Sequence, residues 1–123
     1  MPTEPDAVTL TQVVHRAVQV VDPTGSEGLD DLLERFEDAD EPLSSVQAES
    51  VAERLTEQIG RLDPQAEDAA VQMAGAVATY LVFRRDALDE EPGALLELAA
   101  RAEFDGSPPE PVAGWLAENG IEV

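Results

Sequence analysis

AAVQMAGAVATYLVF, residues 69–83, is the stretch whose reading decides the fold. It runs 15 residues with only Gln72 and Thr79 interrupting an otherwise apolar or small-residue surface. That is too short to span a bilayer as a helix, which takes roughly 20 residues. A helix that is apolar on nearly all sides is normally enclosed by neighbours. The stretch therefore predicts a central core helix, extended at both ends from Gln65 to about Ala87, with Asp63 as N-cap and Pro64 in the first turn. Ala66, Ala70, Ala74 and Ala78 form a small-residue stripe at i, i+4 spacing beside Gly75 and Ala76, which permits close approach of a second helix. Arg84 and Arg85 fall in the predicted last turn, where positive charge complements the helix dipole.

On the N-terminal side, Leu10, Val13, Val14, Ala17, Val18 and Val21 recur at helical spacing, predicting a helix over 7–21 with Gln12, Arg16 and Gln19 outward. Its β-branched content lowers intrinsic propensity, so packing must hold it. Asp22-Pro23-Thr24-Gly25 ends it. A second helix is predicted over 27–37, capped by Ser26, with Leu29, Leu32, Leu33 and Phe36 inward. Ser44 and Gln47 have capping-box spacing for a third, over 45–62, burying Ala48, Val51, Ala52, Leu55, Ile59 and Leu62. Glu57 and Arg61 are placed to pair across one turn of it.

On the C-terminal side, Pro92 opens a fifth helix with Leu95, Leu96, Leu98 and Ala99 as its apolar set, ending near Phe104. A sixth, over 111–119, is predicted to bury Val112, Trp115 and Leu116. Gly120 and Ile121 follow with the spacing of a Schellman motif. The expected fold is all-α: a single-domain bundle of five or six helices around a long central apolar helix, spanning 7–123, with residues 1–6 as a loose N-terminal arm.

The net charge of −20 and 4% aromatic content lean towards disorder, yet Leu, Ile, Val and Phe number 31 of 123 residues and are periodic. The chain is read as folded. Residues 69–85 carry +2, whereas 26–68 carry −11 and 86–123 carry −9. The uncharged or positive stretch is thus the central helix itself. All seven basic residues are Arg, a bias that fits a prokaryote of high GC content or a salt-rich cytoplasm, where acidity can belong to the organism rather than to the protein's task. There is no Cys, the first residues lack the pattern of a signal peptide, and no segment is long enough to cross a membrane, so a soluble cytoplasmic protein is expected.

The chain argues against most site chemistries. A structural zinc site needs four Cys or His ligands, and His15 is the one His present. A di-iron bundle needs Glu-x-x-His pairs, but Gln12 precedes His15 by three. Read from Asp22 as an EF-hand loop, the sequence has Glu27 where Gly belongs and Leu33 where a bidentate Glu belongs. No nucleophile-elbow pattern accompanies the serines, and His15 reads as a half-buried helix-surface residue. A phosphate loop of the Walker type requires the Lys that is missing, and Gly25-Ser26-Glu27-Gly28 is too acidic to cradle a nucleic-acid backbone. No cofactor, metal or direct nucleic-acid contact is expected, and enzymatic activity is disfavoured without being settled.

Three functional readings follow. The first is a non-catalytic helical interaction protein that self-associates or docks on a larger assembly, with a protein as partner and a homodimer through the first or fourth helix as its simplest form. Its candidate contact residues are Ala74 and Ala78 on the stripe, Tyr80 with Arg84 and Arg85 as an anion or partner-carboxylate site beside Phe83, and Trp115. The structural role of Arg84 and Arg85 would be dipole compensation, and that of Trp115 a core anchor. The second reading is an acidic mimic of nucleic acid that inhibits a protein with a basic groove. The third is a small-molecule binder or enzyme with a pocket between helices.

Overall fold

The computed structural model describes residues 9–23, 29–36, 48–62, 68–84, 87–88, 90–105 and 107–121. Among them are six α-helices: α1 (Leu10–Val21), α2 (Asp30–Arg35), α3 (Ala48–Leu62), α4 (Ala69–Phe83), α5 (Pro92–Phe104) and α6 (Glu110–Glu118). The fold is all-α, with α4 at the centre, packed by α1, α3, α5 and α6, while α2 bridges α1 and α3. The expected arm, residues 1–6, lies outside the described residues, as do Ser26, Ser44 and Gln47, the caps predicted for α2 and α3.

α4 is shorter than the periodicity predicts. Asp68, in an extended conformation, is its N-cap, and one carboxylate oxygen accepts from the backbone N–H groups of Ala70 at 3.1 Å and Val71 at 3.2 Å. A carboxylate satisfies these free donors and the positive end of the helix dipole together. The helix therefore starts at Ala69; Asp63, Pro64 and Gln65, where the sequence places its start, lie outside the described residues. It ends at Phe83, with Arg84 as its C-cap donating its backbone N–H to Tyr80 O at 2.8 Å. Arg84 thus stands just past the last turn instead of within it. Met73, Ala74, Val77, Ala78, Leu81 and Val82 have no exposure at all. Burying a Leu or Val side chain contributes about 1.5–3 kcal/mol, so α4 is held by its neighbours on nearly every side.

Close packing depends on Gly75. A Cβ there would lie 2.8 Å from Ile59 Cγ1, so α3 and α4 meet at a distance only a glycine allows without a shift. α3 buries Ala48, Val51, Leu55 and Ile59, with Ala52 only half-buried, and its Glu57 and Arg61 pair at 2.7 Å. In α1 the buried set is Leu10, Val13, Val14, Ala17, Val20 and Val21. Val20 takes the place expected for Val18, which is half-buried. A Thr9–Gln12 capping box opens α1, since Thr9 is the N-cap and not a residue inside the helix.

α2 is a short helix without a side-chain cap, and it inserts Leu29, Leu32 and Phe36 into the core. Its acids at the start and Arg35 at the end both suit the dipole. Two contacts tie it down: Thr11 Oγ1 donates to Phe36 O at 2.8 Å, and Arg35 donates to Gln58 Oε1 at 2.7 Å. Arg16, expected to face outward, instead reaches the connection between α4 and α5. Its Nε donates to Leu88 O at 3.0 Å and its Nη2 to Glu90 O at 2.8 Å. α5 buries Leu95, Leu96, Ala99 and Ala100, and α6 ends in the expected Schellman motif. There Ile121 N–H donates to Leu116 O at 2.9 Å and Gly120 N–H to Ala117 O at 3.1 Å, with Gly120 at φ 75°.

Candidate functional site

The last two turns of α4 present Ala76, Thr79, Tyr80 and Phe83 at i, i+3, i+4, i+7, a single helical stripe. Beside this stripe runs the C-terminal half of α5, which contributes Ala102 and Glu103. Together with Arg84 these residues bound a half-open groove of about 350 Å³. That volume lies at the small end of the range for ligand sites, on the order of 300–1,000 Å³, and suits one or two inserted side chains. Ala76 is buried in its floor, Tyr80 is half-buried, and Phe83 is 49% exposed.

Phe83 and Leu98 are the exposed large apolar side chains among the described residues. Leu98 lies one turn before Ala102 on α5, so the groove wall and the exposed Leu belong to the same face of that helix. The sequence places Leu98 in the core with Leu95, Leu96 and Ala99, but α5 leaves it exposed and turns Ala100 inward instead. The rim of the groove carries two charges of opposite sign, Arg84 and Glu103, both exposed. The described part of α4 itself carries no ionisable side chain except the phenol of Tyr80.

The candidate contact residues fall into four groups. Tyr80 and Arg84 line the groove together. Ala74 and Ala78 have no exposure and are enclosed within the chain, so a partner cannot reach them while the bundle is closed. The apolar face of α1 is likewise turned inward, leaving Gln12, His15 and Gln19 exposed. Ala70, Ala74 and Ala78 of the small-residue stripe and the apolar face of α1 are thus part of this chain's own core. Trp115 is half-buried against the core on α6 and does not line the groove. Arg85 lies outside the described residues.

Thr79, Ala102 and Glu103 are absent from the sequence-derived set. Locating them requires knowing how α5 lies along α4, which no local pattern records. His15, expected to be half-buried, is exposed on α1 and is not among the groove residues. Among the described residues, no three His, Asp or Glu side chains come together as a metal cage, and no helix is long and apolar enough to cross a membrane. The groove offers aromatic surface, two hydroxyl side chains on α4, Thr79 and Tyr80, and a charge of each sign. No protein-family model, curated protein or solved structure matches this chain, and the groove's own residues carry the functional argument.

Proposed function

We propose that this protein is a non-catalytic interaction module that docks on a protein partner through the groove between α4 and α5. The observation that carries the reading is Phe83, half-exposed beside Tyr80 at the edge of the groove, where it and Leu98 are the exposed large apolar side chains among the described residues. Aromatic residues in such positions act as anchors, because they supply much contact area for little loss of side-chain freedom. Exposed Leu98 widens the apolar surface on the α5 side.

The test is replacement of Phe83 by Ser. Exposed as it is, Phe83 contributes little to the core, so the variant keeps its thermal midpoint within a few degrees. Loss of an anchor side chain weakens docking by about 10-fold or more. Docking unaffected by Phe83→Ser contradicts the proposal.

A second reading, the acidic mimic of nucleic acid, is favoured by the net charge of −20 and its concentration in 26–68 and 86–123. It differs in its prediction. Binding to a basic DNA-binding domain would weaken steeply with salt and ignore Phe83, because charge and not the groove would carry it.

A further inference from the structure

We propose that the occupant of the groove is a second copy of this chain, docked about a two-fold axis with Arg84 of each copy facing Glu103 of the other. The inference rests on the docking reading above and names the partner that reading leaves open.

Charge selects the face. Segments 26–68 and 86–123 carry −11 and −9, so two copies repel where their acidic side chains meet, and the groove takes only Glu103 from them. Residues 69–85 carry +2, and the groove rim balances Arg84 against Glu103. A copy of the same acidic chain approaches here at the lowest electrostatic cost. A cationic partner, by contrast, is drawn to the acid-rich segments and meets Arg84 at this one.

Symmetry then makes the face its own complement. In a two-fold interface each contact from residue i to residue j is repeated from j to i. A rim of a single sign would set like charges against each other. A rim with one cation and one anion gives two equivalent ion pairs, while Phe83, Tyr80 and Leu98 supply apolar surface to the centre. The guanidinium has five donors, so Arg84 can serve an interface together with contacts inside its own chain. A groove-sized patch gives an interface at the low end of the scale, below about 1,200 Å² in total, which means a weak and concentration-dependent dimer.

The experiment is sedimentation equilibrium over a range of protein concentrations, in low salt and in molar KCl. The full chain is compared with Arg84→Glu, Glu103→Arg, an equimolar mixture of the two, and Phe83→Ser. The expected result is a monomer–dimer equilibrium that strengthens with KCl, as screening removes repulsion between the acidic surfaces. Each charge reversal alone lowers the association constant at least 10-fold. The mixture restores it, because opposite charges again meet at both symmetric positions. Phe83→Ser lowers it as well, which keeps the test decisive should a charge reversal disturb folding. A dimer that weakens with KCl, or that survives Phe83→Ser and both reversals, overturns the proposal.

A wild-type chain that stays monomeric throughout also overturns it. Binding of an uncharged environment-sensitive dye then separates the two levels. Dye binding lost in Phe83→Ser keeps the groove as a docking face for another protein, whereas no dye binding removes the docking reading as well.

Discussion

Ile59 of α3 stands so close to Gly75 of α4 that a methyl group on residue 75 would sit 2.8 Å from Ile59 Cγ1. The contacting atom is the inner methylene of a β-branched side chain and not the end of a flexible one, so it cannot swing aside cheaply. Gly75→Ala gains up to about 1 kcal/mol of helix propensity but overpacks the interface, at a cost of about 1–3 kcal/mol. The expected net effect is destabilisation of up to about 2 kcal/mol in urea unfolding. In an Ile59→Ala background the same change becomes neutral or stabilising, and a double-mutant cycle measures the coupling. Additive effects of the two changes would mean that the helices are not in this contact.

Asp68 sets where the central helix begins. Asp68→Ala leaves the N–H groups of Ala70 and Val71 without their acceptor and should cost about 1 kcal/mol. Asp68→Asn retains an acceptor and should recover most of that loss. The comparison is made by chemical denaturation, and equal losses in both variants would shift the credit from capping to charge.

Arg16 fastens α1 to the connection between α4 and α5 through Leu88 O and Glu90 O. Arg16→Met keeps the apolar stem and removes both hydrogen bonds, which should destabilise the fold by about 1–2 kcal/mol. Hydrogen exchange should quicken most at residues 87–91. Uniformly faster exchange along the chain would point to a general loss of packing instead.

Gly120 occupies the left-handed region with φ 75°, where a Cβ is strained. Gly120→Ala should cost about 1–2 kcal/mol and loosen Ile121 from the core. The thermal midpoint reports it. An unchanged midpoint would mean that the Schellman turn contributes nothing to the bundle.

These residues also mark how far the fold is legible in sequence. Five of the six helices fall where apolar spacing and turn residues place them, because burial of one face at a helical period is written locally. α4 is legible as the core for the opposite reason, having no polar face. Its start at Asp68 is not, since that cap is one acid among several before the apolar run and the spacing alone does not single it out. Arg16 and Leu98 are misread for the same cause: each helical position is judged inward or outward on its own helix, and the neighbour that accepts or exposes it is distant in sequence. Tyr80 and Arg84 stand four positions apart on one stretch of sequence, whereas Glu103 joins them only through the packing of α5 on α4.

The most direct test of the central claim is the mass of the wild-type chain and of Phe83→Ser by light scattering, in low salt and in molar KCl. The account predicts a wild-type mass that rises towards twice the chain mass as protein and KCl increase, with Phe83→Ser remaining near the monomer. A wild-type chain that is monomeric at every concentration and salt, or a dimer indifferent to Phe83, would contradict it.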